Sequence, residues 1–214
     1  MIAIIDYGVG NLFSLKSSFQ AIGADTVVTG DEKVIKNAKK IILPGVGAFP
    51  DAAKKLSDAG LDLLLKEEAA KGKPLMGICL GMQLLFNESH EYGVCKGLGL
   101  ISGSVRPISE VIPKDLKIPH IGWNALRIKK ESPILKHVKD GDFVYFVHSF
   151  YGADCDESVI ADCEYGAPLT AAVQKDNVYG CQFHPEKSSK VGLGILKAFC
   201  EEVNYAYFSR YRSV

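Results

Sequence analysis

The stretch Pro74-Leu75-Met76-Gly77-Ile78-Cys79-Leu80-Gly81-Met82 decides how this chain folds. Its apolar start leads into Gly77–Gly81, which has the G-x-nucleophile-x-G form of a nucleophile elbow, with cysteine in the place of serine. In such an elbow a buried strand turns sharply into a helix, and the nucleophile takes a strained backbone conformation. The pattern therefore predicts an α/β fold in which Cys79 follows the carboxyl end of a strand.

An elbow at Cys79 would place two electrostatic aids around the thiol. We expect the N-terminus of the following helix to point at Cys79 and to favour the thiolate over the thiol. The backbone N–H of Leu80 would then be placed to bind a developing oxyanion. Taken alone, the motif leaves open a buried strand cysteine that has glycines beside it by coincidence.

The first half of the chain alternates short apolar runs with amphipathic stretches. Ile2–Asp6, Lys40–Leu43 and Leu75–Ile78 are apolar runs that stop near Gly or Pro, as buried parallel strands do. Leu12–Ile22 and Asp51–Lys71 have helical spacing of apolar residues, and a glycine breaks the second stretch near its middle. This alternation predicts a parallel sheet with right-handed crossover helices.

The second half is richer in β-branched and aromatic runs separated by turn residues, which predicts antiparallel pairing and a mixed sheet. The predicted strands are Ser104–Ile108, Ala125–Ile128, Phe143–Val147, Val159–Cys163, Leu169–Gln174 and Val178–Phe183. A terminal helix is predicted from about Ser189 to Tyr207. We find no linker, repeat or low-complexity segment, and we therefore expect residues 1–214 to form one domain.

Composition excludes several classes of function. Lys plus Arg and Asp plus Glu number 25 each, and a net charge of zero favours neither nucleic acid nor a membrane surface. No stretch approaches the roughly 20 apolar residues of a membrane span, and the N-terminus lacks the pattern of a secretory signal. We therefore expect a cytoplasmic protein. Six cysteines without a C-x-x-C pair predict neither a zinc site nor a disulfide framework.

A base for the thiol is offered by the unit His184-Pro185-Glu186, which follows the predicted strand Val178–Phe183. Histidine is the natural base near neutral pH, and a carboxylate two residues on can fix its tautomer and orientation. Proline keeps the unit rigid because it fixes its own φ and restricts the residue before it. By itself the unit could be an exposed loop, but beside a cysteine elbow it predicts a Cys79–His184–Glu186 triad.

A glycine loop, Pro44-Gly45-Val46-Gly47, follows the predicted strand Lys40–Leu43. Ligand sites of parallel sheets form at the carboxyl ends of strands, and glycines allow backbone amides to approach a substrate. We expect Gly45, Val46 and Gly47 to form an oxyanion loop. A phosphate loop is the competing interpretation, but the Gly-Lys-Ser/Thr of such loops is missing here.

Taken in chain order, the glycine loop, the cysteine elbow and the His-Pro-Glu unit resemble the class I, or triad, glutamine amidotransferases. Within that family the chain looks most like the glutaminase subunits of imidazole glycerol phosphate synthases, from Met1 to about Phe199. The resemblance implies a flavodoxin-like α/β sandwich with a mixed, mainly parallel central sheet. The further segments that carry it are Asp6–Leu12, Lys96–Ile101, Pro119–Asn124, Tyr145–Ser149 and Phe183–Ser188.

The resemblance implies that the chain hydrolyses glutamine and passes the ammonia to a separate cyclase of (β/α)8-barrel fold, in a heterodimer that serves histidine biosynthesis. By the same resemblance, Gln83, Glu91 and the backbone of Ser149 and Phe150 bind the amino-acid end of glutamine. The reaction needs no metal and no organic cofactor. Solvated or structural polar roles are the alternatives for Gln83 and Glu91.

An interface with the cyclase is expected around Trp123, because strand-end loops of the sheet should open on the same rim as Cys79. We expect Trp123 to be a buried anchor of that interface, although core packing is the alternative. Asn11, Tyr145 and Lys187 are expected to surround it and to guard the ammonia exit, and Asn124 is expected at the same interface.

Three other functions stay open from the sequence. The chain could serve a different synthase, such as an anthranilate, carbamoyl phosphate or pyridoxal phosphate type, although the Pro119–Asn124 and Pro44–Phe49 segments argue against it. A stand-alone thiol hydrolase on the same fold is the second alternative, and it would turn over glutamine without a partner. A non-enzymatic binding subunit is the third, and an intact Cys-His-Glu set disfavours it.

Overall fold

The computed structural model describes residues 1–203, and within them the chain folds into three sheets and six α-helices. The strands are β1 (Ile2–Ile5), β2 (Thr26–Thr29), β3 (Lys40–Leu43), β4 (Leu75–Ile78), β5 (Glu88–Ser89), β6 (Cys95–Lys96), β7 (Ser104–Pro107), β8 (His120–Ala125), β9 (Arg127–Ile128), β10 (Phe143–His148), β11 (Phe150–Ala153), β12 (Val159–Glu164), β13 (Pro168–Lys175) and β14 (Val178–Cys181). The helices are α1 (Leu12–Ala21), α2 (Glu32–Asn37), α3 (Phe49–Asp58), α4 (Leu61–Ala70), α5 (Leu80–Gln83) and α6 (Ser189–Glu201).

The main sheet has the strand order β2-β1-β3-β4-β14-β13-β12-β9. Pairing is parallel from β2 to β14 and antiparallel from β14 to β9. Strands β1, β3, β4 and β14 are buried along their whole length, as expected for strands covered on both faces. The predicted mixed, mainly parallel sheet is confirmed.

Side-chain alternation along the central strands divides the core into two layers. Ile2 and Ile4 of β1 face a layer that includes α1 and α6, whereas Ala3 and Ile5 face a layer that includes α3 and α4. The sheet is therefore sandwiched between helices on both faces, as in the predicted flavodoxin-like fold.

Two smaller sheets stand beside the main one. Strands β8 and β10 pair antiparallel, with Trp123 opposite Tyr145 and His120 opposite His148, and we call this pair the β8–β10 ribbon. The other small sheet has the order β11-β7-β5-β6. Strand β11 begins two residues after the ribbon ends at His148, so the turn between them is tight.

Most predicted elements are present within one or two residues of their predicted bounds. The elements that were not predicted are helix α2 and strands β2, β5, β6, β8 and β11. The predicted strand Ala125–Ile128 is divided between β8 and β9 because Leu126 turns into the core, where it is fully buried. The terminal helix ends at Glu201 and not at Tyr207, and residues 204–207 of that prediction lie outside the described residues.

The main sheet has β2 at one edge and β9 at the other, and β9 is only two residues long. Arg127 in this strand pairs with two acidic side chains of the neighbouring strand β12: Nε lies 2.6 Å from Asp162 Oδ1, and Nη1 lies 2.8 Å from Glu164 Oε2. The edge strand is therefore short and charged.

Helix α6 packs closely against the segment that carries His184 and Glu186, and a glycine permits the contact. A Cβ added at Gly192 would collide with the carbonyl group of Pro185 and would lie 2.8 Å from Ser188 Cβ. At Gly194, one half-turn further on, a Cβ would make only ordinary contact, 3.4 Å from His137 Cβ. Packing therefore requires glycine at position 192 but not at position 194.

We expect Gly192→Ala to destabilise the protein by about 1–3 kcal/mol, because the added methyl group must push the Pro185 segment away. Gly194→Ala is the matched control in the same helix, and it should be neutral or stabilise by up to about 1 kcal/mol through helix propensity. Urea unfolding midpoints at unchanged m-value measure both effects. Equal midpoints for the two variants would contradict the proposed contact.

Candidate active site

The elbow forms at the junction of β4 and α5. Cys79 has φ 55° and ψ −115°, a conformation that costs a non-glycine residue about 1–3 kcal/mol. Hydrogen bonds hold it there: the Cys79 N–H donates to the Cys181 carbonyl at 2.7 Å, and the Cys79 carbonyl accepts from the Met82 N–H at 2.9 Å. The strained residue is thus tied to strand β14 on one side and to its own helix on the other.

Glycines let three backbone segments meet behind the nucleophile. A Cβ on Gly81 would collide with the Leu43 carbonyl oxygen, and one on Gly77 would collide with the Gly81 carbonyl. A Cβ on Gly45 would lie 2.6 Å from the Gly81 N and 2.9 Å from Leu80 Cβ. The glycine loop and the elbow are therefore packed backbone to backbone, and this contact fixes the position of Cys79 relative to the loop.

The helix dipole contributes less here than the sequence suggested. Helix α5 does begin at Leu80, directly after Cys79, but it is only four residues long. Because a macrodipole is a sum over aligned peptide units, such a short helix gives little stabilisation to a thiolate. The main favourable charge must come from a side chain.

That side chain is His184. Its Nδ1 lies 2.8 Å from Glu186 Oε1, and the imidazole lines the same cleft as Cys79. Both side chains of the His184–Glu186 pair are nearly inaccessible to solvent. The second carboxylate oxygen of Glu186, Oε2, is buried and makes no hydrogen bond with any of residues 1–203. The Glu186 carboxylate accepts a hydrogen bond from the Nδ1–H of His184 and thereby leaves Nε2 for the chemistry at Cys79.

The backbone of His184 is fixed by the β8–β10 ribbon. The His184 N–H donates to the Tyr145 carbonyl at 3.0 Å. The buried hydroxyl of Ser188 donates to the His184 carbonyl at 2.6 Å and accepts from the Tyr145 N–H at 3.0 Å. Ser188 therefore joins the segment that carries His184 to strand β10. A displacement of the ribbon would also move the backbone of His184.

The pKa of His184 reflects this environment. Burial acts to lower the pKa, but the hydrogen bonds and charges of Cys79 and Glu186 outweigh it and raise the pKa from 6.5 to about 9. The imidazole is therefore protonated at neutral pH, so a positive charge lies near the Cys79 sulfur.

A cleft of about 480 Å³ opens in front of Cys79 and His184. Of the residues predicted to bind substrate, seven line it: Val46, Gly47, Leu80, Gln83, Glu91, Ser149 and Phe150. Gly45 is buried and lies behind the cleft wall, where it packs on the elbow. Gly47 has φ 91°, a left-handed conformation that favours glycine at this position of the loop.

Family comparison agrees with the geometry. The model of the glutamine amidotransferase class-I family matches residues 3–203. The chain belongs to this family. Its amidotransferase core therefore covers nearly all of the residues that the structure describes.

Among curated relatives of this amidotransferase are proteins named imidazole glycerol phosphate synthase subunit HisH. The protein of Caldanaerobacter subterraneus subsp. tengcongensis is 51% identical over 204 residues, which cover 95% of this chain and 98% of the relative. The protein of Geobacter sulfurreducens is 50% identical over 204 residues, which cover 94% and 98%. The protein of Bacillus cereus strain ATCC 14579 is 51% identical over 200 residues, which cover 93% of each.

Solved structures share the fold at much lower identity. A crystal structure of a glutamine amidotransferase superimposes with a TM-score of 0.72 at 18% identity, covering 94% of this chain and all of that one. A chain of PurLQS from Thermotoga maritima superimposes with a TM-score of 0.70 at 19% identity, covering 95% and 98%. Both support the α/β sandwich of this amidotransferase.

In this amidotransferase one side-chain polar atom of Gln83 and one of Glu91 already make hydrogen bonds within the chain. Gln83 Nε2 donates to the Phe150 carbonyl at 3.1 Å and to Gln182 Oε1 at 3.0 Å. Glu91 Oε2 accepts from the N–H of Phe49, the first residue of α3, at 2.7 Å. Both side chains therefore also help to hold together the segments that form the walls of the cleft.

Gln182 was missed from the sequence. Its side chain is fully buried, and Nε2 lies 3.9 Å from the Cys79 sulfur, close enough for a weak hydrogen bond. The available signal was the two-residue period of extended chain, which puts Gln182 on the same side as His184. An amide N–H at the sulfur adds a second favourable dipole for a thiolate.

The residues predicted for the partner interface divide into two groups. Trp123 is 51% exposed and packs edge to face on Tyr145, with the ring centroids 6.1 Å apart. The Nζ of Lys187 lies 6.0 Å from the centroid of the same Tyr145 ring. These three residues form one surface cluster beside His184. Lys187 also lines the cleft.

The two asparagines of that prediction make contacts within the chain. Asn124 Nδ2 donates to the Glu164 carbonyl at 2.8 Å and to His120 Nε2 at 3.3 Å. Asn11 caps α1, accepting from the Ser14 N–H at 3.4 Å. Their side-chain polar atoms are therefore used to hold strand β8 and helix α1.

We expect Glu186→Gln to lower the pKa of His184 toward or below 6.5, because burial is then opposed by Cys79 alone. A raised pKa stabilises the fold fully below the unfolded value of about 6.5, and the stabilisation is lost as pH rises through the folded value of about 9. The native protein should therefore lose stability between these pH values, and the variant should lose less.

Urea unfolding at a series of pH values measures this difference, and NMR titration of the His184 ring measures the pKa itself. His137→Gln, which alters an exposed histidine, is the control and should leave both curves unchanged. An unaltered His184 titration in Glu186→Gln would show that Glu186 is not the partner that sets the pKa.

Proposed function

We propose that this amidotransferase is the glutaminase subunit of an imidazole glycerol phosphate synthase, and that it supplies ammonia to a cyclase in histidine biosynthesis. The observation that carries the proposal is the 51% identity to a HisH subunit over almost the full length of both chains. The juxtaposition of Cys79, His184 and Glu186 at a cleft of suitable size supports the glutaminase chemistry.

The first half of the proposed cycle is acylation of Cys79. The thiolate attacks the side-chain amide carbon of glutamine, and a tetrahedral oxyanion forms. The backbone N–H groups of Leu80 and of Gly47 or Val46, which line the cleft beside the sulfur, would bind the oxyanion. The imidazolium of His184 gives its proton to the departing nitrogen, the C–N bond breaks, and ammonia leaves a thioester on Cys79.

The second half is hydrolysis of the thioester. The now neutral His184 takes a proton from water, and the hydroxide attacks the thioester carbon. Collapse of this second oxyanion breaks the C–S bond and releases glutamate, and the Cys79 thiolate and the His184 imidazolium are restored. The sum is glutamine plus water giving glutamate plus ammonia. Glu186 holds the imidazole in one tautomer in both halves.

A (β/α)8-barrel cyclase would bind on the exposed face of the β8–β10 ribbon. Ile121, Trp123 and Phe143 are exposed on that face. Tyr145 lies on the same face opposite Trp123, and Val147 lies opposite Ile121. An apolar aromatic face of this kind is typical of a protein interface. It lies next to His184, through the contacts of Tyr145, so ammonia released at Cys79 would have a short path to the partner.

We propose further that the chain acts as one domain in the cytoplasm. The uninterrupted family match over residues 3–203 supports a single domain, and six free cysteines fit a reducing compartment. Within residues 1–203, no helix has the length and apolarity needed to cross a membrane. A heterodimer with glutamine as its substrate, and without nucleic acid or metal, is the working assembly that we propose.

We expect Cys79→Ala to abolish glutamine-dependent synthesis by the complex, because no other thiol lies in the cleft, while free ammonia still supports the cyclase reaction. Cys95→Ala, at a thiol on the two-residue strand β6, should keep both activities. Product formation is measured with glutamine and with ammonium salt in turn. Surviving glutamine-dependent activity would disprove the nucleophile, and rapid glutamine turnover by the isolated chain would favour a stand-alone hydrolase.

We expect Trp123→Ala to weaken association with the cyclase by about 2 kcal/mol or more, which is about 30-fold in Kd. The side chain is half exposed, so the melting temperature of the isolated chain should not change. Leu63→Ala, which removes a 63% exposed apolar side chain on α4, is the control and should leave both quantities unchanged. Isothermal titration with the cyclase measures Kd, and calorimetry measures the melting temperature.

The opposite pattern would assign Trp123 to the folding core. In that case the melting temperature would fall, and the Kd for the folded fraction would equal that of the native chain. The cyclase interface would then have to lie on another face.

A further inference from the structure

Two buried histidines face each other inside the β8–β10 ribbon. His120 and His148 are directly opposite in the register of the ribbon, and His120 Nδ1 lies 3.0 Å from His148 Nε2. The His120 ring is stacked between Phe146 and Tyr165, with centroids 4.9 and 4.1 Å away. His148 lines the cleft, whereas His120 does not. The catalytic cycle described above uses neither of them.

The tautomers of both rings follow from their outer partners. His148 Nδ1 lies 2.8 Å from the Phe150 carbonyl, which can only accept, so Nδ1 carries the proton and Nε2 is an acceptor. His120 must therefore donate from Nδ1 and accept at Nε2, where the Asn124 amide donates at 3.3 Å. The assignment requires two neutral rings, and burial lowers the pKa of each to about 4.

The chain of hydrogen bonds continues from Phe150 to the nucleophile. The Phe150 carbonyl also accepts from Gln83 Nε2 at 3.1 Å, and the same amide group donates to Gln182 Oε1 at 3.0 Å. Gln182 Nε2 then lies 3.9 Å from the sulfur of Cys79. A single polar path thus runs from Asn124, beside the exposed Trp123, through the cleft wall to the thiol.

We propose that His120 is a positioning residue for glutamine hydrolysis, acting through a hydrogen-bond relay of His120, His148, the Phe150 carbonyl, Gln83 and Gln182. The relay holds the Phe150 backbone and the Gln83 side chain where they line the glutamine cleft. The proposal rests on the glutaminase function proposed above and adds to it a group that touches neither substrate nor sulfur.

The relay holds geometry and does not conduct protons. Its path passes through the Phe150 carbonyl and two primary amides, none of which gains or loses a proton near neutral pH. Each ring offers one donor and one acceptor, and both are used, so each ring has one favoured orientation. Loss of the donor at His120 would leave His148 Nε2 unpaired in a buried site and would free that ring to move.

The test compares two replacements of His120 in the complex with the cyclase. His120→Phe keeps the stacked ring and removes the donor, whereas His120→Asn keeps an N–H donor near the position of Nδ1. We expect His120→Phe to raise the KM for glutamine about tenfold and to change kcat by less than about twofold, because it loosens a wall that binds substrate. His120→Asn should return KM to within about threefold of the native value.

Tyr165→Phe is the packing control. It keeps the ring stacked on His120, removes a hydroxyl that donates to the Lys117 carbonyl at 2.8 Å, and should give the native KM. The proposal is overturned if His120→Phe has the native KM, or if His120→Asn is as impaired as His120→Phe. In the second outcome the stacked ring, and not the donor, would be what matters at this position.

A second measurement does not depend on the folding of any variant or on turnover. In ¹⁵N-histidine NMR spectra of the native chain, His120 should show a protonated Nδ1 and an unprotonated Nε2, and His148 should show the same. The opposite tautomer at either ring would overturn the relay. A native complex that fails to hydrolyse glutamine would instead overturn the proposed function, and the spectra would still report on the relay.

Discussion

The backbone contact between the elbow and the end of β3 is the constraint on which the site depends. Gly81 lies so close to the Leu43 carbonyl that no side chain fits between them, and a Cβ on Gly45 would lie only 2.6 Å from the Gly81 nitrogen. Because the strands behind these glycines are fully buried and paired in parallel, neither segment can withdraw. Cys79 therefore keeps its strained φ, and the glycine loop keeps a fixed position beside the nucleophile.

Charge at the site is balanced within a few side chains. The imidazole is compensated by Glu186 on one side and by Cys79 on the other, and all three are largely withdrawn from water. A low local dielectric strengthens such attractions, which explains why the histidine stays protonated although burial alone would favour its neutral form. The two histidines of the ribbon have no carboxylate partner in the described chain, and burial keeps them neutral. The imidazole of His184 is therefore positively charged, whereas the two histidines of the ribbon are neutral.

Those parts of the fold that produce a local sequence pattern could be predicted from the sequence. Strands β3 and β4 were predicted at their observed bounds because uninterrupted apolar runs mark strands buried on both faces. Strand β8 was missed because Gly122 and Asn124 interrupt its pattern and its only partner, β10, lies about twenty residues further along the chain. The elbow and the His-Pro-Glu unit could be predicted from short sequence motifs. The pairing of His120 with His148, in contrast, depends on the register of the ribbon. Register is a tertiary property, so the hydrogen-bond relay could not be predicted from spacing.

The short edge strand β9 affects how copies of the chain can associate with one another. A sheet edge recruits other chains through its free backbone groups, and an edge two residues long, with Arg127 held by two carboxylates, offers few of them. The β8–β10 ribbon instead exposes an apolar face that includes Ile121, Trp123 and Phe143, where contacts would be made by side chains. Overproduced without the proposed cyclase, the chain should self-associate through that face, and an excess of a partner that binds the same side chains should disperse the assemblies.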